Sequence, residues 1–423
     1  VIRELLARSE ARFMNETARS ASPPIVLGAR PLEARSGVIV LLTAMTALGQ
    51  FASNVYLPAL PAVAADFSAP MNQVQWTLAL FLVVFALGQL VYGPLSDRFG
   101  RLAPLKLGLL VYLAGSIGAA LAPNLAVLLA CRAVQAAGGA AGVVIARAMV
   151  RDSFAGPALA RVMALISIVF GLVPGLSPLV GGIATDLLDW RATFWLTAIL
   201  GLVVFVGAIQ LAETNLHLEP SLDLRGILAA YRGVLANRAF MAFALSAALI
   251  VGSLSAFFAG SPSLLIEQIG ISPTEYGFYP PFAVSGFMIG GAMARRMAGR
   301  TSPAGLVCIG LAIMLLGALL LAVPAMIGTF GKYQIAVAMV VHVSGLGLVM
   351  PTAVAAALSA IRDQIGSASA VLGFLQIASA AAATFAVSLA QPHYPVAAFP
   401  VVMIAFTAGS LAVFAAMQRR SPS

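Results

Sequence analysis

Apolar residues in this chain come in long runs, and charged residues collect in the short gaps between them. A membrane-crossing helix needs about 20 mostly apolar residues. Twelve runs meet that need: 38–62, 74–95, 104–122, 125–149, 159–185, 191–212, 238–262, 274–296, 303–322, 333–358, 366–389 and 395–417. Several gaps are only a few residues long, so neighbouring helices must be antiparallel. The pattern predicts an all-α integral membrane protein with twelve transmembrane helices.

Composition agrees with this pattern. The 423 residues are 61% hydrophobic and 9% charged, where a soluble chain averages about 45–50% apolar and about 25% charged. The net charge of +9 does not point to nucleic acid, because the positive residues fall in loops, as membrane topology demands. All but three of the 24 basic residues lie in the tails or in loops on the N-terminal side. Arg191 and Lys332 lie on the other side, and Arg132 sits within a span. This bias predicts that both termini are cytoplasmic. Trp76, Trp190 and Trp195 all fall at the opposite interface, where an amphipathic ring is at home.

The tail 1–37 is polar and Arg-rich, with Ser22-Pro23-Pro24 near its middle. No apolar run precedes Val38, so no cleavable signal peptide is expected there. Val1 to Arg19 reads either as a short amphipathic helix or as a frayed tail. Residues 418–423 form the other tail. Cys131 and Cys308 lie in separate apolar runs, and no disulfide framework is indicated.

The chain repeats itself. Phe85-Ala86-Leu87-Gly88 opens a stretch ending at Gly108, and Phe287-Met288-Ile289-Gly290 opens one ending at Gly310. Arg98 and Arg300 keep the same offset of 202. Two six-helix bundles follow, 38–212 and 238–417, joined by a central cytoplasmic loop at 213–237. Parallel repeats of this kind place a transport site at their interface.

Several motifs narrow the reading. Gly93-Pro94-Leu95-Ser96-Asp97-Arg98-Phe99-Gly100-Arg101 is a charged island between the second and third spans, bracketed by glycines that allow a sharp turn. Asn54-Val55-Tyr56-Leu57-Pro58-Ala59-Leu60-Pro61 ends the first span, Arg132-Ala133-Val134-Gln135 lies in the fourth, and Arg151-Asp152-Ser153-Phe154 follows it. Gly171-Leu172-Val173-Pro174-Gly175-Leu176-Ser177-Pro178-Leu179-Val180-Gly181-Gly182 fills the fifth span. Trp190-Arg191 opens the sixth and Glu213-Thr214 closes it; Gly260-Ser261-Pro262 and Gly366-Ser367-Ala368-Ser369-Ala370 mark the seventh and eleventh. Together these resemble the major facilitator superfamily, and within it the Bcr/CflA group of twelve-span drug:proton antiporters, over roughly residues 38–390. The resemblance implies two pseudo-symmetric bundles in a bacterial inner membrane, a transporter rather than an enzyme, and no cofactor or metal. It implies partners limited to a drug-like small molecule, protons and lipid, with the chain acting as a monomer.

Each motif also has a physical reading. Gly171, Gly175, Gly181 and Gly182 let a neighbouring helix approach closely, and Pro174 and Pro178 each remove a backbone donor and favour a bend. The fifth span is therefore either a packing face or a gating element. Asp97 is either a solvated acid or a latch reaching the positive end of the eleventh helix near Gly366 and Ser367. In the latch reading Gly93, Arg98, Gly100 and Arg101 belong to the same device.

The chain departs from the family at Asn54, where relatives usually carry an acid, and at Ala136, where glycine usually follows the glutamine. All fifteen Asp and Glu residues fall in loops, tails or helix ends. Proton coupling then turns to His342, a lone histidine inside the tenth span that titrates near neutrality. It reads as a proton acceptor or as a hydrogen-bonded core residue. Arg132, charged at any working pH, reads as a tether between spans four and one or as a contact for a substrate anion.

The expected function is export of small amphiphilic drugs in exchange for protons, by alternating access. Asn54, Tyr56, Arg132, Gln135, Ser253, Ser255, Phe258 and His342 are the expected substrate contacts in a mostly apolar cavity. The alternative is an uncoupled or differently coupled carrier on the same fold, for a small metabolite, with an anion as one candidate. A polytopic enzyme is disfavoured, because no cluster of His, Cys, Asp or Glu lies within the spans. No Walker-type phosphate loop is present either.

Overall fold

Lipid offers the backbone no hydrogen-bond partner, so each apolar run must satisfy its own N–H and C=O groups as a helix. The computed structural model describes residues 36–215, 224–297, 299–329, 331–361 and 365–419. The Val1–Arg19 segment lies outside the described residues.

In the first half, α1 (Ser36–Asn54) breaks at Val55–Tyr56, turns through the 3-10 segment Leu57–Ala59 and resumes as α2 (Leu60–Asp66). The helices α3 (Met71–Phe99), α4 (Leu102–Ala120), α5 (Leu125–Ser153), α6 (Gly156–Leu187) and α7 (Arg191–Ile209) follow. After α8 (Leu224–Ala236) the second half begins with α9 (Arg238–Pro262), which ends in a π-helical turn over Ser263–Gln268. Next come α10 (Pro273–Gly277), α11 (Tyr279–Met297), α12 (Pro303–Ile327), α13 (Lys332–Ser359), α14 (Ile365–Ala390) and α15 (Ala398–Arg419). Among the described residues, ten segments are long and apolar enough to cross a membrane, with α1–α2 counted as one. The helix α6, whose apolar part is Leu172–Leu187, and α11 complete the twelve.

Helix ends follow local chemistry. The side chains of Asn124, Asn237 and Ser302 accept the N–H of Val127, Phe240 and Gly305, capping α5, α9 and α12. Gly328, at φ 71°, closes α12 in the left-handed conformation that glycine tolerates.

Three expectations need correction. The central segment is not loop throughout, because α8 gathers Leu224–Ala236 into an amphipathic helix. The charged island is mostly helix: α3 runs through Gly93, Pro94 and Asp97 to Phe99, and only Gly100, at φ 82°, makes the turn. Charges end a lipid-facing run, but they do not end a helix that continues into water. The eighth span is broken into α10 and α11, where Pro280 and Pro281 lack the N–H groups needed to continue one helix.

The repeat survives as packing. Gly115 of α4 lies against the backbone of Gln135 in α5, and Gly317 of α12 lies against the backbone of His342 in α13. Such close approach between apolar helices, rather than water exclusion, drives their association in lipid.

The halves meet along two seams, α3 with α14 and α6 with α10 and α11. The seams concentrate at the face opposite the basic loops. There Gln75 of α3 donates to the Ala259 carbonyl at 2.8 Å and to Gln391, and Trp76 Nε1 donates to Ser388 at 3.2 Å. The Asp186 carboxylate accepts the Thr274 N–H at 2.8 Å. A single apolar core runs from the second half into Tyr56, Leu57, Trp190 and Phe194 of the first. Among the described residues, no packing of comparable extent joins α5 to α13.

Candidate functional site

At the end of α1 the Asn54 Nδ2 donates back to the Gln50 carbonyl at 2.8 Å, and Pro58 has no N–H to bond the Asn54 carbonyl and carry the helix on. The turn that follows carries Tyr56 into the first bundle, where its ring is fully buried. Arg132 comes from α5 and is equally buried. Its guanidinium stands 4.1 Å from the Phe81 ring centroid, 5.1 Å from Tyr56 and 5.7 Å from Phe194. Nη1 donates to Gln135 Oε1 at 2.6 Å and to the Ala52 carbonyl at 3.2 Å. Nε and Nη2 find no protein acceptor among the described residues. Gln135 passes the chain of bonds to Ser116 at 2.8 Å and Thr197 at 3.1 Å. Arg132 thus ties α1, α3, α5 and α7 of one bundle together. Its charge faces aromatic rings, each such contact worth about 2 kcal/mol when desolvated, and no carboxylate among the described residues.

His342 has a matching seat in the second bundle. Its Nδ1 lies 2.8 Å from the Met314 carbonyl and its Nε2 lies 3.2 Å from Ser253 Oγ. A carbonyl only accepts, so Nδ1 carries a proton, while the donor in the Nε2–Ser253 bond depends on the charge state of the ring. Ser253 also lies 3.0 Å from the Met403 carbonyl and 2.9 Å from Thr407 Oγ1.

Of the eight expected contacts, Tyr56, Arg132, Gln135, Ser253 and His342 are closed inside one bundle or the other. Asn54 is 6% exposed. Ser255 and Phe258 are half-buried, with Phe258 beside Phe257 at 5.9 Å. A cavity of about 580 Å³ follows the α3–α14 seam. Trp76, Val83, Leu87, Phe374 and Phe385 are among its walls, and none of the eight lines it.

The basic face holds a network that sequence reasoning saw only as separate motifs. Arg101 Nε donates to Asp152 at 2.8 Å, and its Nη1 donates to Ser96 at 2.8 Å and to Asp97. Burial would lower the Arg101 pKa, but Asp152 and Asp97 outweigh it and raise it. The Glu213 carboxylate accepts from the N–H groups of Arg101 at 2.8 Å, Leu102 at 2.9 Å, Thr214 at 3.0 Å and Asn215 at 3.0 Å. Burial would raise the Glu213 pKa, yet these four donors hold it below the ordinary carboxylate range. Glu213 thereby supplies the cap that α4 lacks within its own turn. Gly100 is required twice here, because its φ is positive and a Cβ would meet the Glu213 carboxylate at 2.7 Å.

In this arrangement Asp97 is held by Arg101 of its own half, and a Cβ added at Gly366, near the N-terminus of α14, would lie 3.9 Å from the Arg151 guanidinium. Arg98 stacks on Phe99 at 5.1 Å. Gly93 is helical with open space beside it. In α6, Gly175 meets Val284 and Gly182 meets Pro273, both across the seam, while Gly181 meets the Val55 carbonyl. Pro178 is buried and Pro174 half-buried in the same continuous helix. The surroundings of Gly171 lie outside the description.

Two six-helix bundles related by a parallel repeat, closed on each other at one face, are the architecture of a membrane transporter. The Major Facilitator Superfamily pattern matches residues 41–386, and the chain belongs to that superfamily. The chain is similar to an uncharacterised transporter of the superfamily from Bacillus subtilis, 30% identical over 81% of this chain and 86% of that protein. It is 28% identical to multidrug resistance protein D of Escherichia coli over 84% of this chain and 89% of that one. It is 30% identical to a chloramphenicol resistance protein of Pseudomonas aeruginosa over 68% of each. These likenesses uphold the resemblance to the drug-efflux branch. In fold it matches a bacterial homologue of the lysosomal transporter Spinster, with TM-score 0.75, 16% identity, and 94% and 100% of the two chains covered.

Proposed function

We propose that this chain exports small amphiphilic drug-like compounds across a bacterial inner membrane, exchanging them for protons by alternating access. Its sustained similarity to resistance proteins, over most of both chains, carries the reading. The basic bias of one face supports cytoplasmic termini. With that face inside, the seam clasped by Gln75, Gln391 and Asp186 lies on the outer side, as in an arrangement closed to the outside. The glycine face of α6 lies on the moving seam, which favours a gating role over packing alone. Asp97 would engage the N-terminus of α14 when the inner side closes.

The proton in this reading moves through His342. Protonation at Nε2 makes that nitrogen a donor to Ser253, whose hydroxyl then turns to the Met403 carbonyl or Thr407. The site therefore accommodates both charge states of the ring without losing a hydrogen bond. A second reading, an uncoupled carrier for a small anion, is favoured by Asn54 and by Arg132, whose Nε and Nη2 have no carboxylate or other protein acceptor among the described residues.

Proteoliposome transport of a panel of cationic, neutral and anionic compounds, with and without an imposed pH gradient, separates the two. Gradient-driven movement of amphiphilic cations and neutrals supports the exporter. Gradient-independent movement of anions alone supports the carrier.

A further inference from the structure

A single residue, Asn237, separates α8 from the membrane-spanning α9. The 13 residues of α8 extend about 20 Å, and so short a link holds them at the membrane boundary on the basic face. The faces of this helix differ. Val234 is buried and Tyr231 half-buried toward the bundle, where α8 packs on α9 and α14. The outward face carries Arg225, Leu228, Ala229 and Arg232, which line a groove of about 400 Å³. Their spacing of three, four and seven places them on one side of a helix. Leu228 is 60% exposed, and nearby Leu235 is 45% exposed.

We propose that this outward face is a docking surface for anionic phospholipid headgroups of the bilayer. The two guanidiniums stand two turns apart, about 10 Å along the axis, at the scale of a headgroup. Each matches a phosphate in planar, charge-assisted geometry. The leucines between and beside them match the glycerol and upper acyl region, as on an interfacial amphipathic helix. A soluble anion would use the arginines and leave Leu228 and Leu235 in water. The proposal rests on the membrane-spanning fold and not on the exporter reading.

Native mass spectrometry of the full chain in detergent tests it, with phosphatidylglycerol and phosphatidylcholine of matched acyl chains in competition. The wild type should prefer phosphatidylglycerol. The Arg225→Gln/Arg232→Gln pair should reduce that preference by about thirtyfold, from about fivefold per basic residue near an anionic surface. The Arg225→Lys/Arg232→Lys pair should retain most of it, which separates charge from folding. An environment-sensitive dye on Leu228→Cys, with Cys131→Ser and Cys308→Ser removing the native thiols, should shift to the blue in phosphatidylglycerol vesicles. Equal binding of the two lipids, or an unchanged preference in the glutamine pair, overturns the proposal. So does a dye that stays in water while millimolar inorganic phosphate occupies the groove.

Discussion

Gln135 and His342 stand at corresponding points of the two bundles, each with a glycine of the neighbouring helix pressed against its backbone. Around Gln135 the first bundle stores a permanent charge, Arg132, wrapped by Phe81, Tyr56 and Phe194. Around His342 the second bundle stores no permanent charge; a titratable ring faces a serine with two further partners. The shared glycine contacts show that the frame tolerates either content. A repeated fold can therefore keep its helix packing while the two copies differ in content, a buried arginine in one and a buried histidine in the other; the proposed function makes these the tether and the proton acceptor.

The largest effect should come from the fixed side of this comparison. Arg132→Ala removes a fully buried side chain from three rings and leaves Gln135 and Ala52 without a donor. Thermal unfolding in detergent should report a loss of about 3 kcal/mol or more. Arg132→Lys should fold better, yet lower transport of cationic, neutral and anionic compounds alike, because lysine lacks the planar fork. A loss confined to anions would move Arg132 from tether to substrate contact.

The frame itself is tested by Gly115→Ala and Gly317→Ala. Each would push a methyl group into a neighbouring backbone, at a cost of about 1–3 kcal/mol. Similar losses are expected in both; a neutral result at one site would break the equivalence of the bundles.

Most of the fold was legible because lipid imposes length. Helix ends were less so, since α3 and α5 continue past the bilayer into water to Phe99 and Ser153. The amphipathic pattern of α8 was present in the residues but short, and its charges masked it. The site was harder. Helices that are apolar all round give no sign of which side faces the bundle and which the seam, so Arg132, Gln135, Ser253 and His342 were expected in a cavity and lie in bundle cores. Gln75 and Gln391 meet from opposite ends of the chain with no local signal. Glu213 and Asp152 were visible as motif positions, but their shared work on Arg101 appears only once three loops converge.

The smallest effect concerns that convergence. The corresponding turn of the second half starts α12 with a Ser302 cap instead of a carboxylate from elsewhere. Glu213 has its folded pKa below its unfolded value, near about 4.3, so its contribution is present above that pH and lost as pH falls through the lower folded value. Glu213→Gln should slightly lower stability at neutral pH and flatten the acid limb of a melting-temperature profile. The effect is small because the carboxylate is largely solvent-screened. An unaltered acid limb would remove Glu213 from the pH response.

The division between tether and titratable group is tested most directly by His342→Gln, which installs in the second bundle the side chain the first already holds there. Drug accumulation would be measured in proteoliposomes under an imposed pH gradient, beside wild type, with substrate binding and melting temperature recorded on the same preparations. The expected result is unchanged folding and binding with gradient-driven accumulation reduced at least about tenfold, equivalent to about 1.4 kcal/mol of lost driving force. Accumulation equal to wild type would contradict the assignment and move the proton to a carboxylate at the ends of the helices.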